Sequence, residues 1–163
     1  NYKDWKNRIN CILDIFKVAF RYSKEFCDYS NSARYITLLC EHLEDPNVKV
    51  CLNAFTVLED SLIFLKPLVE DHLNNILVRI LNGMANKKTE ISGRCDQLYK
   101  KIKEKIDMHK LAKEMVKLCH NPLQKTRLMA IKQLEDLLYL LNRQSLSALT
   151  PCIGKALNRL IAE

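Results

Sequence analysis

Glycine and proline are scarce, with 3 and 4 residues in a chain of 163. That leaves little material for the many tight turns of a sheet protein. Long apolar runs are missing too. The best candidates, at 62–68 and 76–81, are interrupted by Lys66 or Arg79, and neither approaches the roughly 18 residues of a membrane span. The sequence has no Gly-rich phosphate loop, G-x-S-x-G, H-E-x-x-H or C-x-x-C, so the common signatures of nucleotide, acyl-transfer, zinc-protease and redox chemistry are all missing. An enzyme is not expected.

Metal-site spacing is lacking as well. His42, His72, His109 and His120 are dispersed, and neither Cys40-x-His42 nor Cys119-His120 has the paired spacing of a zinc site. No metal or cofactor is expected. The cysteines (Cys11, Cys27, Cys40, Cys51, Cys95, Cys119 and Cys152) are odd in number and scattered. They read as reduced, mostly buried thiols of a cytoplasmic protein and not as a disulfide framework. The carboxylate pairs Glu59-Asp60 and Glu70-Asp71 read as solvated helix faces. The opening Asn-Tyr-Lys-Asp-Trp is no signal peptide and has no initiator Met, as expected of an excerpt from a longer protein.

What is present is helical. Hydrophobic residues make up 48% of the chain, enough for a buried core. Apolar positions recur at three and four: Ile9, Ile12, Leu13, Phe16 and Phe20, then Ile36, Leu39 and Leu43, then Val48, Val50, Cys51, Ala54, Phe55 and Leu58. Further stripes run through 68–81, 91–106, 108–116 and 128–141, the last through Leu128, Ile131, Leu134, Leu137, Leu138 and Leu141. The periodicity predicts an all-α chain of about eight helices, with a connection over 22–31 and a final helix over 147–161. Asp45 is expected to cap the helix after it, with Pro46 at its first position.

Breaks fall at Trp5, Asp45, Lys87 and Asn121, spaced 40, 42 and 34 positions apart. Two helices per interval is the pattern of a HEAT or armadillo α-solenoid, in which every second turn lies on one edge. The expected organisation is a single domain over residues 1–163.

The formal charge is +7, which suggests an acidic partner. Lys49, Lys125 and Arg127 stand in the first turns of predicted helices, where the helix dipole disfavours cations. Lys87 and Lys88 occupy a turn, and Trp5 is the one tryptophan, flanked by polar residues that favour its exposure. Lys100, Lys101, Lys103 and Lys105 read as a solvated helix end. Aromatics are few and not interleaved with cations, which argues against nucleic acid.

Asp4-Trp5-Lys6-Asn7-Arg8, Asp45-Pro46-Asn47-Val48-Lys49-Val50, Asn86-Lys87-Lys88 and His120-Asn121-Pro122, in that order, resemble a TOG domain. These are the HEAT-repeat, tubulin-binding domains of microtubule polymerases and CLIP-associated proteins. The resemblance implies a non-catalytic microtubule-associated domain, monomeric in isolation, that acts in the cytoplasm on microtubules at the spindle, centrosome or cilium. The α/β-tubulin site would comprise Trp5 in the first turn, Asn47 and Lys49 in the second, Lys87 and Lys88 in the third, and Asn121, Lys125 and Arg127 in the fourth. Family domains carry more repeats, so parts of the first and last would be missing. The alternative is a TOG-like HEAT scaffold for another centrosomal, ciliary or kinetochore protein.

Overall fold

A computed structural model describes residues 4–28, 32–140, 147, 149–151, 153 and 154. Among these residues the protein is all-helical and has no strands. The described helices are α1 (Trp5–Arg21), α2 (Ser23–Asp28), α3 (Ser32–Leu43), α4 (Val48–Phe64), α5 (Lys66–Asp71), α6 (Leu73–Met84), α7 (Thr89–Lys105), α8 (Met108–Leu118) and α9 (Gln124–Leu140). None is long and apolar enough to cross a membrane. The chain divides into two compact units between Lys105 and Ile106.

In the first unit, α3 and α4 form one antiparallel hairpin and α6 and α7 another. Helix α4 packs against α1 on one side and α7 on the other. These three helices run parallel, as their cross-contacts show. Trp5 meets Lys49 near their N-termini, and Phe20 meets Phe64 near their C-termini. From α7, Arg94 donates to Thr56 Oγ1 and Lys101 to Glu59. Helices α3 and α6 also lie together, and Glu44 after α3 accepts from Arg79 and Asn82 of α6. The N-termini of α1, α4 and α7 therefore open on one edge.

The core of this unit lies between the helices and includes Ile12, Ile36, Leu39, Val50, Phe55, Leu58, Ile76, Ile80 and Leu98. Within it, Tyr35 Oη and Ser61 Oγ lie 2.9 Å apart, and Ser61 donates back to Val57 O, so both of these hydroxyls are engaged. Gly83 lets α6 and α7 approach closely, since a Cβ there would come within 2.3 Å of Cys95 Sγ. Burial pushes the thiols of Cys40 and Cys95 up to about 12 and those of Cys51 and Cys119 up to about 11. The six cysteines among the described residues are all unpaired in disulfides. Cys152 lies outside them.

The second unit contains the α8–α9 hairpin. Asp107 caps α8 by accepting the Lys110 N–H at 2.8 Å.

Several sequence expectations need correction. The 22–31 segment contains α2, and the helix expected over 68–84 is two helices with His72 as the joint, where φ is −106° and ψ 15°. The helix count accordingly exceeds eight. The cap of α4 is Asn47, not Asp45, and Pro46 lies before the helix rather than in it. Asp45 is instead committed to Arg8 of α1. Glu59 is buried and not solvated, held by Lys101 at 2.7 Å and by Arg94 at 3.3 Å, the latter an ion pair without hydrogen-bond alignment.

Two apolar stripes are buried only in part, through Ile12 on α1 and Leu134 and Leu137 on α9. On α9 the buried residues are Thr126, Ala130, Gln133, Leu134 and Leu137, while Leu128 and Ile131 are exposed. On α1 they are Ile12 and Ala19, while Phe20 is exposed. Small residues, Ala19 on α1 and Thr126 and Ala130 on α9, share the buried faces with Ile12, Leu134 and Leu137. Most of the final expected helix lies outside the described residues. Those described there, at 147, 149–151, 153 and 154, are helical.

Candidate functional site

One local device recurs at every break picked out in the sequence. Asp4 Oδ1 accepts from the Lys6 N–H at 3.0 Å, and Asn47 Oδ1 from the Lys49 N–H at 3.0 Å. Asn86 Oδ1 accepts from the Lys88 N–H at 2.9 Å, and Asn121 Oδ1 from the Leu123 N–H at 3.0 Å. A side-chain oxygen reaching two residues ahead mimics a backbone turn and satisfies one of the unpaired donors of a helix start. The four turns introduce α1, α4, α7 and α9.

In the three turns of the first unit, the residue two places on is lysine: Lys6, Lys49 and Lys88. Sequence reading missed Lys6, Asp4 and Asn86. The signal was available as a repeated Asp/Asn-x-Lys. A cation in the first turn of a helix is disfavoured by the dipole, typically by about 0.3–1 kcal/mol. Neither α1 nor α4 has an acidic residue in its first turn to offset it, whereas Lys88 stands just before α7, whose first turn carries Glu90. Helix stability alone does not call for these lysines.

Trp5 is half-buried, not the exposed ring its polar flanks suggested. Lys49 Nζ of α4 lies 4.9 Å from the ring centroid, and Lys6 Nζ lies 5.8 Å from it. Both are within cation–π range. Beneath this contact Arg8 donates twice to Asp45, from Nε at 2.8 Å and from Nη2 at 3.0 Å. Asp45 Oδ1 also accepts the Asn47 N–H at 2.8 Å. Burial acts to raise the Asp45 pKa, but the Arg8 and Asn47 hydrogen bonds and the Arg8 charge outweigh it and hold the carboxyl below its ordinary value. The first and second turns are thus locked together by a planar two-point pair.

The third turn opens α7, which packs parallel to α4 and so starts on the same edge as the second turn. The Cys51 thiol of α4 is raised chiefly by burial, and the charges of Asp45 and Lys88, one from each turn, both reach it. Lys87 and Lys88 are exposed. Trp5, Lys6, Lys49, Lys87 and Lys88 thus belong to turns on one edge, with Lys6 and Lys49 against the ring.

The other candidates divide. Asn47 is the α4 cap, so its side-chain oxygen is already engaged. In the second unit, Asn121 builds its own turn, and Arg127 Nη1 donates to Asn121 O at 3.1 Å. Lys125 is exposed. No group of three or more His, Cys, Asp or Glu positioned to hold a metal occurs among the described residues. Compared with protein-family models and with curated protein sequences, the chain matches none of them.

Proposed function

We propose that this chain is a TOG-like HEAT-repeat domain that binds α/β-tubulin without catalysis, through the edge formed by the N-termini of α1, α4 and α7. The observation that carries this reading is the repeated lysine of the Asx turns, with one of those lysines stacked on the single tryptophan. The α3–α4 and α6–α7 hairpins, joined side by side, are the units from which an α-solenoid is built. The lysines steer an acidic partner into register, and the Trp5 ring supplies a contact that gains energy as water leaves it. The second unit carries a turn of the same kind, in which Asn121 Oδ1 accepts the Leu123 N–H.

Size-exclusion chromatography with soluble tubulin at two salt concentrations tests the reading. Co-elution at low salt that fades with added salt supports it, because exposed charges are screened within about 10 Å at 0.1 M salt. Loss of co-elution in Trp5→Glu and in the Lys87→Ala/Lys88→Ala double variant, with helical content unchanged, supports the edge. Tubulin that fails to co-elute at either salt contradicts the reading and leaves a HEAT scaffold for a different protein.

A further inference from the structure

The end of α1 and α4 opposite the lysine-rich edge carries a second surface. Val18, Phe20 and Tyr22 of α1 and its C-cap are exposed, as are Ile63 and Phe64 at the end of α4, with Val18 at 54% and Ile63 at 60%. Phe20 and Phe64 join the two helices edge to face, centroids 4.5 Å apart, and Phe16 stands 6.1 Å from Phe20. Phe16, Phe20 and Phe64 therefore form one contiguous surface, and Val18 and Tyr22 share a depression with Phe20, the clustered arrangement that marks an interaction site. Counted along α1 at 1.5 Å per residue, the patch lies about 22 Å from Trp5.

We propose that this patch docks an acidic amphipathic helix of another protein. Its shape favours a protein side chain over a flat bilayer, since Lys17, Val18, Phe20, Arg21 and Tyr22 line a depression of about 480 Å³ that an inserted side chain can enter. Its charge selects the partner's sign. Among the described residues, those lining the depression include two cations, Lys17 and Arg21, and no carboxylate. Lys17 pairs with Asp14 at 3.0 Å, both side chains being more than two-thirds exposed. Such pairs are worth little in water, so Lys17 is free to exchange partners. A second copy of this chain would bring Lys17 and Arg21 against themselves. An acidic helix with apolar residues at positions i, i+3 or i+4, and i+7 satisfies the depression and its basic rim together. This inference concerns the face opposite the proposed tubulin edge and stands or falls separately from it.

Fluorescence anisotropy tests it with a labelled helical peptide carrying Leu and Phe on one face and Glu elsewhere, beside a twin with Lys replacing each Glu. The acidic peptide should bind, and the basic twin should bind at least about tenfold more weakly. Phe20→Ser and Arg21→Glu should each weaken the acidic peptide at least about tenfold, and Trp5→Glu should leave it unchanged. Val18→Ser serves as a second probe if Phe20→Ser lowers helical content. Equal binding of the two peptides, no binding of either, or indifference to Arg21→Glu overturns the proposal. So does Phe20-dependent self-association in sedimentation, or Phe20-dependent binding to phosphatidylserine vesicles in place of the peptide.

Discussion

Lys49 Nζ rests 4.9 Å from the centre of the Trp5 ring, joining the start of α4 to the start of α1. A contact of this type at a part-exposed site is worth about 0.5–1 kcal/mol, too little to hold two helices together. Its effect is to fix where the ring stands. Trp5 is the only tryptophan, so intrinsic fluorescence reports on it alone. Lys49→Ala should increase acrylamide quenching of that fluorescence with little change in overall stability. Identical quenching in the variant and the parent would show that the ring is held by other means.

The Arg8–Asp45 pair beneath the ring is the stronger tie. Its side chains are 15% and 7% exposed, and losing a charged hydrogen-bonding partner there should cost about 1–3 kcal/mol. The pair also makes a pH prediction. Because the folded Asp45 pKa is depressed, its stabilisation is fully present above the unfolded value of about 3.9 and is lost as pH falls through the lower folded value. Urea unfolding should therefore show Asp45→Asn well below the parent near neutral pH, with the gap closing below about pH 4. A gap that stays constant down to low pH would contradict the ion-pair assignment.

Gly83 and Cys95 form a close approach between α6 and α7. Adding a Cβ at 83 meets Cys95 Sγ at 2.3 Å. Overpacking of this kind costs about 1–3 kcal/mol, against a gain of about 1 kcal/mol in helix propensity for Ala over Gly. Gly83→Ala should destabilise the parent but stabilise a Cys95→Ala background, where the sulfur is gone. Chemical unfolding of the four proteins in a double-mutant cycle measures the sign change. The same effect in both backgrounds would show that the space is not shared.

Helix placement was legible from apolar period and breaks because α3, α4, α6, α7 and α8 bury regular stripes. The face of α9 was not, because period alone ranks Leu128 and Ile131 above Thr126 and Ala130. Close helix contacts select small side chains for the seam. The four turns were legible as breaks, yet the roles within them were exchanged. Asp45 looked like the cap and Asn47 like a free binder, whereas Asp45 faces Arg8 across 37 residues and Asn47 caps the helix. Only the approach of α1 to α4 decides between two adjacent side chains of equal capping ability. That matters for experiment. Asn47→Ala should lose about 1 kcal/mol as a cap and would confuse stability with binding, so Trp5, Lys49, Lys87 and Lys88 are the better probes of the edge.

On the proposed reading, the lysines of the Asx turns serve a partner and not the fold. It is tested most directly by the Kd for labelled tubulin of the parent and of a Lys49→Glu/Lys88→Glu double variant at low salt. Each charge reversal also relieves a cation at a helix N-terminus, so the variant should be at least as stable as the parent. Affinity should fall at least about a hundredfold, with the unfolding midpoint unchanged or raised. Parent-like affinity in the stable variant, or no measurable affinity in the parent, would contradict it.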